Sequence, residues 1–263
     1  VGGLSQILEG EELQDEGVPP GTTSQGDRSL IELPAIQEKL LKRLASVGKP
    51  VIVVLLSGSA LALPGVDAVC PALLQAWYPG EAGEAIADVL FGDYNPAGRL
   101  PLTFYRATSD LPSFESYDMR GRTYRYFEGE VLYPFGYGLS YTTFHYESLR
   151  LSANAISADQ ALHVSVSVTN NGSTAGDEVV QLYVRRLSVH ESRYPLMALR
   201  GFKRIHLNVG ERRELVFEIS GGDFASVTES GDRVVLPGDY EICLGGQPPI
   251  KSDVCVRASI TIR

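Results

Sequence analysis

Val51-Ile-Val-Val-Leu-Leu56 is an unbroken run of β-branched and aliphatic residues, bounded by Gly48-Lys-Pro50 before it and Ser57-Gly-Ser59 after it. It is far shorter than the roughly 20 residues a membrane helix needs. An apolar run of this length without alternation predicts a strand covered on both faces, as in a sheet layered between helices. Upstream, Leu33, Ile36, Leu40, Leu41, Leu44 and Val47 recur at helical spacing, and Gly48 is a fitting C-terminal stop. Downstream, Leu73 to Trp77 reads as a second short strand. Gly80 to Leu90 reads as a second helix with Ala82, Ile86, Val89 and Leu90 on one side. This alternation predicts an α/β layered sheet with helices on its faces.

Past about Tyr146 the period changes from helical to strand. Leu162, Val164, Val166 and Val168 point one way and His163, Ser165 and Ser167 the other. Leu215, Phe217 and Ile219 repeat the pattern, as do Val256, Ala258, Ile260 and Ile262. Turn signals separate these runs at Asn170-Asn-Gly172, Asn208-Val-Gly210 and Pro237-Gly-Asp239. About seven short strands in sequence predict an immunoglobulin-like or fibronectin-like β-sandwich. The expected fold is therefore α/β followed by all-β, with domains at residues 1–146 and 147–263. Residues 105–146, rich in Tyr, Phe, Gly and Pro, read as an extended packed connection. Residues 5–32, polar and dotted with Gly and Pro, read as a long loop of the kind that is usually functional or disordered.

The 263 residues leave room for one or two domains. With 23 basic against 32 acidic side chains, the net charge of −9 argues against a nucleic-acid binder and against adsorption to an anionic membrane. No signal peptide or initiator Met opens the chain, so it is expected to be part of a longer protein. Three Cys are too few for a disulfide scaffold and lack zinc spacing. Cys243 and Cys255 flank Gly245-Gly-Gln-Pro-Pro249, a hairpin signal; if paired in register they would face each other as a disulfide or as two reduced core thiols.

The cluster Leu8-Glu-Gly-Glu-Glu-Leu13 opens the polar loop. Three carboxylates this close raise one another's pKa, and partial burial raises one further, which is how a carboxylic acid is kept protonated for general acid work. Spacing alone favours the plainer reading, a solvated acidic loop. Gly26-Asp-Arg28 suits an ion pair folding the loop back or an ordinary turn. Trp77-Tyr-Pro-Gly80 puts aromatics where they could stack on a sugar, although a core Trp is commoner. Glu81 and Glu84 complement the dipole at the start of the second helix. His145, His163, His190 and His206 are scattered without ligand spacing and read as structural or surface residues. Ser57-Gly-Ser59 lacks the flanking glycines of a nucleophile elbow, and no dinucleotide, P-loop or metal motif is present. Asn171-Gly-Ser173 is a glycosylation sequon but also a good turn, and the turn is the preferred reading.

Taken in order, several segments resemble the C-terminal part of glycoside hydrolase family 3, the β-glucosidase and β-xylosidase family. They are Gly3-Leu-Ser-Gln-Ile-Leu-Glu-Gly-Glu-Glu12, Gly26-Asp-Arg28, Leu33-Pro34, Lys49-Pro-Val-Ile-Val-Val-Leu-Leu-Ser-Gly58 and Ala76-Trp-Tyr-Pro-Gly80. They continue through Ala85 to Gly92, Asn95-Pro-Ala-Gly-Arg-Leu-Pro101, Tyr124-Arg-Tyr-Phe127 and Tyr133 to Phe144. Gly176-Asp-Glu-Val-Val-Gln-Leu-Tyr183 and Leu199-Arg-Gly-Phe202 resemble the family's fibronectin type III-like domain.

The resemblance implies a partial α/β sandwich plus an immunoglobulin-like fibronectin type III β-sandwich. It implies a retaining, exo-acting enzyme on terminal β-linked xylose or glucose, with oligosaccharide substrates and neither metal nor cofactor. The nucleophile Asp would lie on an N-terminal (β/α)8 barrel outside this chain. The acid/base would come from the loop at residues 5–32, with Glu11 the first candidate, Glu9 the second and Glu12 the third. A secreted or periplasmic location and a homodimer are further expectations. The rival reading is a non-catalytic carbohydrate-associated module, inactive without the barrel.

Overall fold

The computed structural model describes residues 2–3, 30–63, 65–66, 68–113, 115–187, 194–249 and 255–263. The chain forms two compact units that interleave. One comprises Val1–Leu90, Leu102–Asp118 and Glu128–Tyr133; the other comprises Phe91–Pro101, Met119–Phe127 and Pro134–Arg263.

The first unit is built on a parallel sheet in the order β1 (Gly2–Gly3), β2 (Ile52–Leu56), β3 (Ala72–Gln75). The continuous apolar run does what its composition predicts, since Val53, Val54 and Leu55 are buried in succession and both faces of β2 are covered. Leu33, Leu41, Leu61, Leu63, Val66 and Cys70 complete the core with Val53 and Leu55. Helices α1 (Ala35–Ala45) and α2 (Gly83–Phe91) form where the spacing placed them. Their apolar stripes differ from expectation. Only Leu41 of α1 is buried, while Ile36 is 73% and Val47 67% exposed, and no residue of α2 is buried. Helical period reports that a stripe exists; three strands are too narrow a sheet to cover all of it. Glu81 precedes α2, so Glu84 alone sits in its first turn. The antiparallel pair β4 (Phe104–Tyr105) and β5 (Val131–Tyr133) completes this unit.

The second unit is a β-sandwich. Its long strands are β6 (Phe144–Leu151), β8 (Ala161–Asn170), β9 (Gly176–Arg186), β10 (Ala198–Leu207), β11 (Arg212–Ser220), β14 (Gly238–Gly245) and β15 (Val256–Ile262), with the short β7 (Ala155–Ile156). Five strands pair in the order β10-β9-β14-β15-β7 and three in the order β11-β8-β6. A short hairpin, β12 (Ala225–Val227) with β13 (Arg233–Val235), stands apart. The alternating residues face inward as predicted: Leu162, Val164, Val166 and Val168 meet Val180, Leu182, Val184, Phe217, Ile219, Ile242 and Ile260 in one core.

Strand β9 is buried on both faces. Its outward residues Gln181 and Tyr183 are covered by a short helix α3 (Thr123–Tyr126) and the segment Phe135–Gly138, while Glu178, on the inward face beside Ile205, is met by Arg99. Arg99 pairs with Glu178 at 2.9 Å, both side chains under a tenth exposed, and its Nε donates to the Gly246 carbonyl at 2.9 Å. Gln181 Nε2 donates to the carbonyls of Gly136 and Gly246, and the Tyr183 hydroxyl donates to Gln181 Oε1 at 2.6 Å. Tyr124 stacks on Phe135 with centroids 4.2 Å apart and meets Tyr183 edge-on. Asn95 Oδ1 accepts from Ser140 Oγ and the Tyr141 N–H, while its amide donates to the Ala175 carbonyl. A Cβ on Gly138 would lie 2.2 Å from the Gly98 carbonyl oxygen, and one on Gly176 2.4 Å from Asn95 Nδ2. The most recognisable strings of the sequence therefore interlock with one another in a packing role.

Candidate functional site

The candidate residues Glu9, Glu11 and Glu12, together with Asp27 and Arg28, lie outside the described residues, as does His190. What the structure does describe is the frame from which their segment departs and to which it returns. β1, β2 and β3 are parallel, so their C-terminal ends open on one edge of the sheet. Ligand sites in open α/β sheets sit at this edge, because the connecting loops gather there while the strands hold them rigidly. Three stretches leave it: the chain after Gly3, Ser57-Gly-Ser59 after β2, and Ala76-Trp-Tyr-Pro-Gly80 after β3.

Both ends of the acidic segment are tied to β2 or its continuation. Gly2 and Gly3 pair with Leu55 and Leu56. On return, the Leu33 N–H donates to the Ala62 carbonyl at 3.1 Å, and the Ala62 N–H donates to the Ile31 carbonyl at 2.8 Å. A side-chain clamp reinforces this second tie. The Glu32 carboxylate accepts from the Thr108 N–H at 2.7 Å and from its hydroxyl at 2.6 Å, and Thr108 Oγ1 accepts from the Ile31 N–H at 3.0 Å. A charged acceptor makes these bonds worth more than neutral ones.

The other two loops are held as closely. The buried Ser57 hydroxyl donates to the Ser59 carbonyl at 3.0 Å, and Gln75 Nε2 donates to both Ser57 oxygens at 3.2 Å. His145, His163 and His206 all belong to the other unit, so Ser57 has no imidazole partner among the described residues of its own unit. Its hydrogen bonds shape the loop. Trp77 adopts φ 57°, a left-handed conformation that costs a bulky residue on the order of 1–3 kcal/mol. Its ring is fixed edge-on to Phe104 at 6.4 Å, and Phe104 in turn meets Tyr133 at 6.3 Å. Beside it Tyr78 is exposed, and its ring passes so close to Gly58 that a Cβ there would lie 2.7 Å from it. Strain held by an aromatic stack at a loop edge is a usual mark of a functional surface.

Residues 1–141 match the glycosyl hydrolase family 3 C-terminal domain, and residues 178–247 match the fibronectin type III-like domain. The chain belongs to glycosyl hydrolase family 3. It is 45% identical over 249 residues to a xylan 1,4-beta-xylosidase of Xylanibacter ruminicola, covering 93% of this chain and 28% of that protein. It is 42% identical over 231 residues to a periplasmic beta-glucosidase of Salmonella typhimurium, covering 83% of this chain and 30% of that one. A β-glucosidase structure from Erythrobacter marinus superposes with a TM-score of 0.77 at 38% identity, covering 93% of this chain and 32% of that chain. The family 3 chain thus spans about a third or less of the length of these relatives. The α/β unit followed by the fibronectin-like sandwich agrees with the family expectation.

The Glu32–Thr108 clamp and the left-handed Trp77 were missed at the level of sequence. Thr108 is 76 residues from Glu32, and no local pattern joins them. The Pro79-Gly80 dipeptide, with Gly80 at φ 58°, was the available signal for unusual backbone there.

Proposed function

We propose that this chain is the C-terminal part of a retaining, exo-acting β-glycosidase that removes terminal non-reducing β-linked xylose or glucose from oligosaccharides. In this reading Glu11 is the acid/base and Glu9 the alternative. The nucleophile Asp belongs to a (β/α)8 barrel outside the chain, and the 263-residue polypeptide alone is catalytically silent. The observation that carries the reading is the double anchorage of the acidic segment: both of its ends are fixed to the second strand of a parallel sheet or to its continuation. A carboxyl group delivered by a segment so tethered can protonate the leaving oxygen and then activate water, opposite a nucleophile about 5–5.5 Å away. Relatives named for xylosidase and for glucosidase activity support both sugars as substrate class. The relative named periplasmic supports export, and no helix among the described residues is long and apolar enough to cross a membrane. A homodimer remains the proposed assembly.

The test uses the full-length protein containing this chain. Glu11→Gln should lower turnover of xylobiose or cellobiose by roughly 10²–10⁴-fold, the usual contribution of a general acid. Dinitrophenyl glycosides, whose leaving group needs no proton, should keep a near-normal glycosylation step. The same profile from Glu9→Gln with a silent Glu11→Gln would move the role to Glu9. Normal turnover on the disaccharides by both variants would refute the loop assignment.

A further inference from the structure

The β14–β15 hairpin carries a side-chain cluster that the glycosidase reading leaves unused. Leu244 pairs with Val256 and Cys243 with Arg257, so the two cysteines are not directly opposite, as in-register pairing would have placed them. Cys255 lies just outside β15, two residues before Arg257, which puts it on the same face as Cys243 and diagonal to it. The Cys255 sulfur lies near enough to raise the proton affinity of the Cys243 thiol. Cys243 is 1% exposed, whereas Cys255 is partly open to solvent. The Cys243 thiol donates to Glu241 Oε1 at 3.3 Å, and that carboxylate also meets Arg257 at 3.3 Å and Arg185 at 3.4 Å. The Arg257 guanidinium, its proton affinity raised by the neighbouring Cys255 sulfur, donates to the Pro249 carbonyl at 3.2 Å. The third cysteine, Cys70, is buried in the other unit.

We propose that Cys243 and Cys255 form a dithiol–disulfide site, oxidised by exchange with an external disulfide, that locks the hairpin of the fibronectin-like unit. The division of labour follows from the surroundings. Cys255 is the accessible thiol, and the Arg257 guanidinium beside it stabilises negative charge developing on its sulfur. It attacks one sulfur of the incoming disulfide; that S–S bond breaks, one thiolate leaves and takes up the proton Cys255 has lost. Cys243 then passes its proton to Glu241, and its sulfur attacks Cys255, breaking the mixed disulfide and releasing the second thiolate, which is protonated from solvent. Two protein thiols become one protein disulfide, and two electrons pass to the incoming disulfide, which leaves as two thiols. The neighbouring Cys255 sulfur, burial and the Glu241 carboxylate all hold Cys243 protonated until that second step, in keeping with its role as the resolving thiol. Diagonal sulfurs must still approach to about 2.05 Å, and the backbone at Cys255, lying outside the strand, is the part that moves. The ring so closed contains Gly246, whose carbonyl receives Arg99 and Gln181, so oxidation stiffens the seat of that buried network.

The experiment is equilibration of the purified chain in glutathione buffers from fully reducing to fully oxidising, followed by acid quench, alkylation and peptide mass spectrometry. A peptide pair joined through Cys243 and Cys255, 2 Da lighter than the reduced pair, is expected, with Cys70 alkylated throughout. The oxidised chain should melt roughly 6–12 °C above the reduced chain, from the closure of a loop of this length. Cys255→Ser should abolish both the cross-link and the shift while leaving the reduced melting temperature nearly unchanged. Arg257→Gln should slow oxidation several-fold without preventing it. Should Cys243→Ser fail to fold, Cys255→Ser and the mass of the wild-type peptide decide alone. Persistent glutathionylation of Cys255 without the internal cross-link, or two free thiols at the most oxidising ratio, would overturn the proposal.

Discussion

Replacing Arg99 with alanine strands a carboxylate in the second unit, and the cost is calculable. Glu178 is 4% exposed, and its partners are the Arg99 guanidinium at 2.9 Å and the Val179 N–H at 2.7 Å. The Gly246 carbonyl that Arg99 also serves keeps its bond from Gln181 at 3.0 Å, so the principal loss is the charge pair. Breaking a buried pair from one side costs about 3–5 kcal/mol, because an uncompensated charge stays behind. For a unit of this size that is a fall in Tm of roughly 6–20 °C, readable by calorimetry or circular dichroism at pH 7.5. The pH dependence makes the reasoning specific. Burial already pushes the Glu178 carboxyl above its ordinary value, with Arg99 pulling it back; without Arg99 it rises further. A carboxyl raised in the folded state favours folding most below its unfolded pKa of about 4.3, and that contribution disappears as pH climbs through the folded value. The deficit of Arg99→Ala should therefore be largest at pH 7.5 and shrink steadily toward pH 5. The double variant Arg99→Met with Glu178→Leu, which removes both charges, should recover most of the loss. A pH-independent deficit, or an Arg99→Ala variant melting within 2 °C of the parent at pH 7.5, would show that the pair is not what holds these strings together.

Gly138→Ala places its methyl against backbone, 2.2 Å from the Gly98 oxygen, and should destabilise the second unit by about 1–3 kcal/mol in a urea titration, whereas Gly98→Ala, with open space around its Cβ, should not. At Asp177 burial acts upward, but hydrogen bonds from His206 and Arg204 at 2.7 Å outweigh it and hold the carboxyl below its usual range. A depressed carboxyl stabilises above its unfolded pKa and loses that as pH falls through the folded value. Asp177→Asn should therefore cost about 0.5–1 kcal/mol at pH 7 and nothing near pH 2, as compared by urea midpoints. Thr108→Val removes the hydroxyl that joins Glu32 to the Ile31 amide and should raise the Ile31 hydrogen-exchange rate tenfold or more; an unchanged rate would mean the clamp is dispensable.

The elements with a strong local period were legible. The run at Val51–Leu56 and the alternation at Leu162–Val168 each identify a strand and its environment, because burial on one face or two is written directly in residue type. The stripe on α1 was legible as a helix but not as an exposed one, since periodicity carries no information on how wide the opposing layer is. The connection after Pro101 showed no period because its order is imposed from a distance. Phe104 pairs with Tyr133, and Tyr124 hydrogen-bonds the Leu199 amide 75 residues away. Of the candidate site, the acidic cluster was visible as composition and its role came from family resemblance. The clamp that returns its segment to the sheet depends on a contact between Glu32 and Thr108 that no short window contains.

The interleaving of the two units bears on how family 3 proteins can be dissected. A polypeptide cut where the fibronectin-like strands begin, near residue 142, would contain every long strand of the sandwich yet lack Asn95, Arg99, Tyr124 and Gly136. It would expose Gln181 and Tyr183 and leave Glu178 without its counterion. The sandwich is not a bead on a string: its outermost layer is borrowed from upstream chain, so recombination that exchanges this module between relatives must carry residues 91–101, 119–127 and 134–141 with it or lose the fold.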